Sequence, residues 1–240
     1  AIHTRRGGKE ETPKLENIFL DCGARSAKEV QELGIEVGNV ITYKDTFMIM
    51  NKKFFVGRAL DNRIGGFMIA EVARLLKENK KKLPFGLYIT NSVQEEVGLR
   101  GAQMITETIR PNVAIVTDVT HDTQTPMINK IKEGDCSMEK GPVLTYGPSV
   151  QNNLLKLIIN TAKRNKIDIQ KAAASRLTGT DTDAFAFNTG GVASALISLP
   201  LRYMHTTVET VAQKDVENVI RLIYNSLLEI NNNHDFRYLK

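Results

Sequence analysis

From residue 57 to the C-terminus, two hydrophobic rhythms alternate along the chain. In "NRIGGFMIAEVARLLKEN" (62–79) the apolar positions recur every three or four residues through Ile64, Met68, Val72, Leu75 and Leu76, which predicts a helix with one apolar face. Similar spacing predicts helices in "LRGAQMITETI" (99–109), "VQNNLLKLIINTAKRNK" (150–166) and "DVENVIRLIYNSLLEI" (215–230). Between them lie short unbroken apolar runs, "FGLYITNSV" (85–93), "NVAIVTDV" (112–119) and "ASALISLP" (193–200), which read as strands. Strands that are apolar on both faces must be covered on both, so the pattern predicts an α/β fold with a central mixed sheet between helices. Residues 1–56 behave differently. There "NIFLDCG" and "NVITY" read as short strands, "SAKEVQELG" as a small helix with Ser26 as cap and Glu29 three residues on, and "TFMIMNKKFFVG" as two strands about an Asn-Lys turn. The expected organisation is a small β-rich unit, 1–56, ahead of an α/β domain, 57–240.

Composition narrows the function classes. No apolar run approaches the roughly 20 residues of a membrane helix, and the opening "AIHTRRGGKEETPK" has no apolar core of the signal-peptide kind. Cys22 and Cys136 form neither a close-spaced metal motif nor a disulfide framework, which fits a reducing cytoplasm. A net charge of +5 raises the question of nucleic acid. The lysines are scattered, however, and Lys80, Lys81 and Lys82 follow a helix with no aromatic neighbours, which reads as a solvated helix end. Neither a nucleic-acid nor a membrane partner is expected.

In an open α/β sheet, ligands gather beyond the carboxyl ends of the strands. The runs that lead to such ends here carry Asp61, then Glu95 and Glu96, then Asp118 with His121 and Asp122 close behind, then His205. Each has an ordinary explanation by itself. Asp61 can cap the helix from 62, Asp118 a turn with Thr117 and Thr120, Glu95 and Glu96 can open a loop, and His205 can be a hydrogen-bonded histidine. Collected at one edge of one sheet, carboxylates and an imidazole without thiolate suit Zn²⁺, Co²⁺ or Mn²⁺. The neighbouring charges of Glu95 and Glu96 also require a cation or a proton to offset them. His121 lies past the strand end and is expected to support rather than bind, and His3 and His234 receive no role.

The segments "GRALDNR", "NSVQEEVGLRGA", "VTDVTHDTQTP" and "LPLRYMHTTVE" resemble, in order and spacing, the signature segments of the cocatalytic metallo-aminopeptidases. That family includes glutamyl aminopeptidase, the tetrahedral aminopeptidases and proteins labelled cellulase M or endoglucanase M, and the similarity runs along the whole chain. The resemblance implies a zinc-peptidase-like catalytic domain that removes N-terminal residues from peptides with two divalent ions, zinc or cobalt, with manganese as a further candidate. By it, Asp61 bridges the two ions, Glu96 and His205 complete one position, Asp118 serves the other, and Glu95 is the general base. "TGTDTDAFAF" resembles the family's Thr-Asp-Ala segment near the substrate pocket, which places Thr182, Asp183 and Ala184 there. Residues 1–56 resemble the family's inserted lid and oligomerisation domain, which implies a homo-oligomer, a dimer or a dodecamer built from dimers. One feature departs from the pattern. The family carries a His-x-Asp segment ahead of the inserted domain, and His3-Thr4-Arg5 does not supply it, so the chain reads as lacking the family's N-terminal stretch. As it stands it is expected to hold at most one ion tightly.

Two rival readings follow. A deacylase or another amidohydrolase could use the same metal centre, and a subunit with an incomplete site could be non-enzymatic. A glycosidase fits poorly, because such enzymes use two carboxylates without metal and the chain is 6% aromatic with no tryptophan to stack on sugars.

Overall fold

The structure, a computed structural model, describes residue 12 and residues 14–238, and it divides between Tyr43 and Lys44 into two units. In the smaller unit the Ser26 cap forms as its position predicts. Ser26 Oγ accepts the N–H of Glu29 at 3.2 Å, opening α1 (Ala27–Glu32), and the Glu29 carboxylate accepts the N–H of Arg25 at 2.8 Å. The strands expected in "NIFLDCG" and "NVITY" do not form. No described residue of this unit is buried, and Phe19, Val37 and Val40 lie in the open, so nothing holds a ladder together.

The larger unit is built on one seven-stranded sheet. A hairpin of β1 (Phe47–Met50) and β2 (Phe54–Gly57) turns through Asn51 and Lys52, both at positive φ (49° and 55°). The hairpin was expected in the N-terminal β-rich unit. Instead β2 gains a second ladder from β7 (Glu209–Ala212), and this extends the sheet, so the division falls at 43/44 and not at 56/57. The centre of the sheet is β6 (Ala193–Arg202), which is buried along almost its whole length. One edge of β6 pairs in parallel with β3 (Val113–His121), from Val113 opposite Ala193 to His121 opposite Leu201. Its other edge pairs antiparallel with β4 (Val143–Tyr146) and then with β7, and β5 (Gln170–Ala173) runs parallel to β4.

Helices cover both faces, as the continuous apolar runs require. On one face α2 (Leu60–Glu78), α5 (Asn152–Arg164) and α7 (Gln213–Glu229) pack against Ala195, Ile197, Leu199 and Leu201. On the other, α3 (Arg100–Ile109) and α6 (Asp181–Ala186) pack against Ala114, Val116 and Leu196. The long connection from β3 carries the single-turn helix α4 (Lys130–Glu133). Among the described residues, no helix is long and apolar enough to cross a membrane.

One predicted strand is missing. Residues 85–93 are not in the sheet, and Leu87, Tyr88 and Ile89 are exposed. Among the described residues, the edge of β3 away from β6 has no ladder either. A cavity of about 1440 Å³ is lined by both, together with Ile69 and Val72 of α2 and Ile105 of α3. An apolar run becomes a strand only where another strand supplies its hydrogen bonds, and among the described residues none pairs with 85–93.

Candidate metal centre

The chain enters α2 through irregular backbone. Ala59 has a φ of 53°, and Asp61 and Asn62 depart from helical geometry inside the first turn. Asn62 ties this turn to the sheet: its amide donates to the carbonyl of Thr117 on β3 at 2.7 Å, and its oxygen accepts the N–H of Gly65 at 3.0 Å. Asp61 is thereby held near the end of β3 that carries Asp118.

Glu95 and Glu96 can serve one centre because the backbone reverses around them. Gln94 has a φ of 60°, Gly98 of 118° and Leu99 of 58°, and the N–H groups of Gly98 and Leu99 both donate to the carbonyl of Glu95 at 3.0 Å. The N-terminus of α3 then docks on the same loop, with Gly101 N–H donating to the carbonyl of Val93 at 2.9 Å. A Cβ on Gly101 would lie 2.4 Å from that oxygen and 2.5 Å from the nitrogen of Val93, so only glycine permits the approach. Gly101→Ala is expected to lower stability by about 1–3 kcal/mol, the usual range for forced overpacking. Urea unfolding against the parent chain measures it, and an unchanged midpoint would show that the loop yields freely.

At the rim, Asp61, Glu96 and His205 converge. His205 Nε2 lies 3.0 Å from Asp61 Oδ2 and 3.3 Å from Glu96 Oε2, and one ligand atom from each residue falls within 4.8 Å of the others. The Asp61 side chain is 10% exposed while those of Glu96 and His205 are 56% and 60% exposed, so the group is anchored on one side and open on the other. Two carboxylate oxygens and one imidazole nitrogen make a donor set suited to a borderline divalent ion with an open position.

Asp118 is buried within electrostatic reach of Asp61 and Glu95. Burial pushes its carboxyl up to about 8, Val119 N–H opposes this by donating to it, and Asp61, Glu95 and Asp181 add repulsion. Burial, then Glu96, Asp181 and Asp61, push Glu95 up to about 7, with His205 pulling the other way. Asp61 is raised as well, by burial first and then by Glu96 and Glu209. This excess of acid over base fits a cation. The five residues expected at one rim thus fall into a tight group of three, with Glu95 and Asp118 within electrostatic reach of Asp61.

The raised carboxyls have a pH signature. Without an ion, the folded chain holds more protons than the unfolded chain from about pH 4 to 8, so stability should fall as pH rises through that window. Zinc should displace those protons. Calorimetry at pH 7 in buffers of different ionisation enthalpy is expected to show proton release on zinc binding, and melting in chelator should drop from pH 5 to pH 8. No released protons and a flat melting profile would contradict the assignment.

The remaining candidates are placed differently. Thr182, Asp183 and Ala184 are buried in α6 and do not line the cavity. The Asp183 carboxylate accepts from Ser149 Oγ, from the N–H and Oγ of Thr178, and from the N–H of Gly179, so it braces the loop before α6. Its neighbour Asp181, not singled out from the sequence, does line the cavity and accepts from Ser92 Oγ, which links α6 to the segment leading to Glu95. His121 is exposed at the end of β3, and Asp122 is buried in an ion pair with Arg202 at 2.6 Å. His234 accepts the N–H of Asn231 and stacks on Phe236, while His3 lies outside the described residues.

A family model described as M42 glutamyl aminopeptidase matches residues 1–222. The chain belongs to the M42 glutamyl aminopeptidase family. A lysyl aminopeptidase of Pyrococcus furiosus is 36% identical to it over 222 residues, which is 92% of this chain and 62% of that protein. Among solved M42-like structures, a TET aminopeptidase from a marine-sediment Thaumarchaeota archaeon superposes with a TM-score of 0.87 at 34% identity, over 93% of this chain and 63% of that one. The TET1 peptidase of Pyrococcus horikoshii, described as assembling into a tetrahedron or a large octahedral shell, superposes with a TM-score of 0.73 at 28% identity, over 88% of this chain and 60% of its own. The chain therefore spans about three fifths of the length of these M42 relatives.

Proposed function

We propose that the protein acts as a metal-dependent aminopeptidase on peptides with a free N-terminus. The observation that carries this reading is the Asp61–Glu96–His205 group with Glu95 and Asp118 beside it, in a chain of an aminopeptidase family. Asp61, Glu96 and His205 would hold one ion, and Asp118 with the shared Asp61 would serve a second. Divalent ions bound there would supply Lewis acidity, polarising a peptide carbonyl and acidifying water. Glu95 sits beside the group with a proton affinity near neutrality, which suits a general base. It takes the proton from the attacking water and returns it to the nitrogen of the departing amine. The surrounding acids favour a substrate whose cationic α-amino group is adjacent to the scissile bond. Asp183 and Thr182 act at one remove, by holding residues 178–180 of the loop that leads to Asp181, and Ala184 is buried behind them. The test is hydrolysis of one peptide in free and N-acetylated forms, with and without chelator. Chelator-sensitive cleavage of the free form alone is expected, and equal cleavage of the blocked form would favour a deacylase or amidohydrolase.

Among its described residues the smaller unit buries none and exposes several large apolar side chains. Such surface marks an association site, and the tetrahedral or octahedral shells described for the TET1 peptidase support the same reading. We infer that residues ahead of β1 are covered in a homo-oligomer, a dimer or a dodecamer built from dimers. Light scattering at micromolar concentration checks this, and a strict monomer would refute it.

A further inference from the structure

Glu209 opens β7, opposite Gly57 of β2, and is 1% exposed. A carboxylate withdrawn that far from water requires hydrogen bonds or a charge partner. Its two oxygens take separate main-chain donors: Oε2 accepts the N–H of Asp61 at 3.0 Å, and Oε1 accepts the N–H of His205 at 2.7 Å. Those donors come from distant parts of the chain, the first turn of α2 and the turn between β6 and β7. They also belong to two of the three residues in the metal-type group. Both stretches are irregular, with Asp61 at φ −77° and ψ 105° and His205 at φ 62°, so neither geometry is set by a helix or a strand ladder. A left-handed conformation at histidine persists only where its surroundings hold it, and the bond to Glu209 is such a hold.

Glu209 is not placed to bind an ion directly. It does not line the cavity, it stands outside the three-residue group, and both its oxygens turn inward to amides. We propose that Glu209 is a positioning residue of the metal centre: by seating the amides of Asp61 and His205 on one carboxylate, it fixes the separation at which their side chains meet an ion. This rests on the reading of Asp61, Glu96 and His205 as ligands. The chemistry asks for a carboxylate. Glutamine offers one accepting oxygen and an amino group that only donates, so one of the two N–H groups would face another donor.

The protein contains its own control. Asp215, fully buried at the start of α7, likewise accepts two main-chain N–H groups, from Glu139 at 2.6 Å and Gly141 at 2.8 Å, and it neither joins the metal-type group nor lines the cavity. The experiment compares Glu209→Gln and Asp215→Asn in the 240-residue chain, with Co²⁺ as the probe. Glu209→Gln should weaken Co²⁺ binding by about ten- to a hundredfold, the usual effect of removing a residue that orients ligands, and should change the visible absorption of the bound ion. Asp215→Asn should lose thermal stability and keep its Co²⁺ affinity and spectrum. Without metal, amide proton resonances of Asp61 and His205 should both move in Glu209→Gln. Co²⁺ binding by Glu209→Gln equal to the parent, with the same spectrum, would overturn the proposal. An equal loss of affinity in Asp215→Asn would do so too, by reducing the effect to general destabilisation. A parent chain that fails to bind Co²⁺ would instead remove the ligand reading, and the positioning role with it.

Discussion

Glu95→Gln is expected to reduce peptide hydrolysis by a factor of about a hundred to ten thousand, the usual contribution of a positioned acid–base group, while zinc affinity stays within a few-fold of the parent. The separation of the two effects follows from geometry. Glu96 converges with Asp61 and His205, the proposed ligands, whereas Glu95 stands outside that group and interacts with it through its charge. Glutamine keeps the size and the hydrogen-bonding oxygen but cannot accept a proton at neutral pH. Removing the negative charge should also lower the proton affinity of Asp118, because Glu95 is among the charges that raise it. The check is paired: hydrolysis of an unblocked peptide, and zinc titration by calorimetry. Loss of zinc together with activity would mean that Glu95 is a ligand and that its role and that of Glu96 are reversed.

His205→Ala should have the larger effect on the ion itself. It removes the only nitrogen from the group and leaves two carboxylates, a set that favours harder and more weakly held ions over zinc. Loss of a supporting residue typically costs ten- to a hundredfold in affinity, so loss of a ligand should exceed about a hundredfold. The metal-free chain should meanwhile lose a basic group that offsets Asp61 and Glu95, and both carboxyls should rise further. Competition with a chromophoric chelator reads the affinity. Retention of parent-like zinc binding would point to another nitrogen, and the exposed His121 at the end of β3 would be tested next.

What could be read in advance depended on how local its cause was. The helices over 62–79, 99–109, 150–166 and 215–230 all formed within a few residues of the predicted bounds, because their apolar stripes are set by the chain itself. Asp61 and His205 could be expected together for a related reason: each follows a strand, β2 and β6, whose ends share one rim. Glu96 joins them from a loop, since 85–93 is not a strand, so the strand end that the sequence suggested is not what places it. The run 85–93 has the composition of a strand, but a ladder is a property of two segments, and the second could not be inferred from the first. The hairpin at 47–57 was visible as a hairpin, yet its place in the large sheet depends on four residues at 209–212 that are too short to declare themselves. Glu209 and Asp181 were opaque for the same cause. A withdrawn carboxylate's role lies in which donors converge on it, and for buried Glu209 and half-buried Asp181 they come from residues 61, 205 and 92.

The parallel ladder between β3 and β6 also sets a schedule for folding. Val113 pairs with Ala193, 80 positions later, and every pair up to His121 and Leu201 keeps that separation. Contacts this remote close slowly, since the entropy of a long loop must be lost before the ladder rewards it. On a ribosome β3 emerges well before its partner and must wait with both edges bare. His205 follows β6 in the chain, so the group of Asp61, Glu96 and His205 can assemble only after that strand has docked. Metal supplied during synthesis should therefore do little to speed folding, and the yield of folded chain should respond to slower translation or a holding chaperone instead.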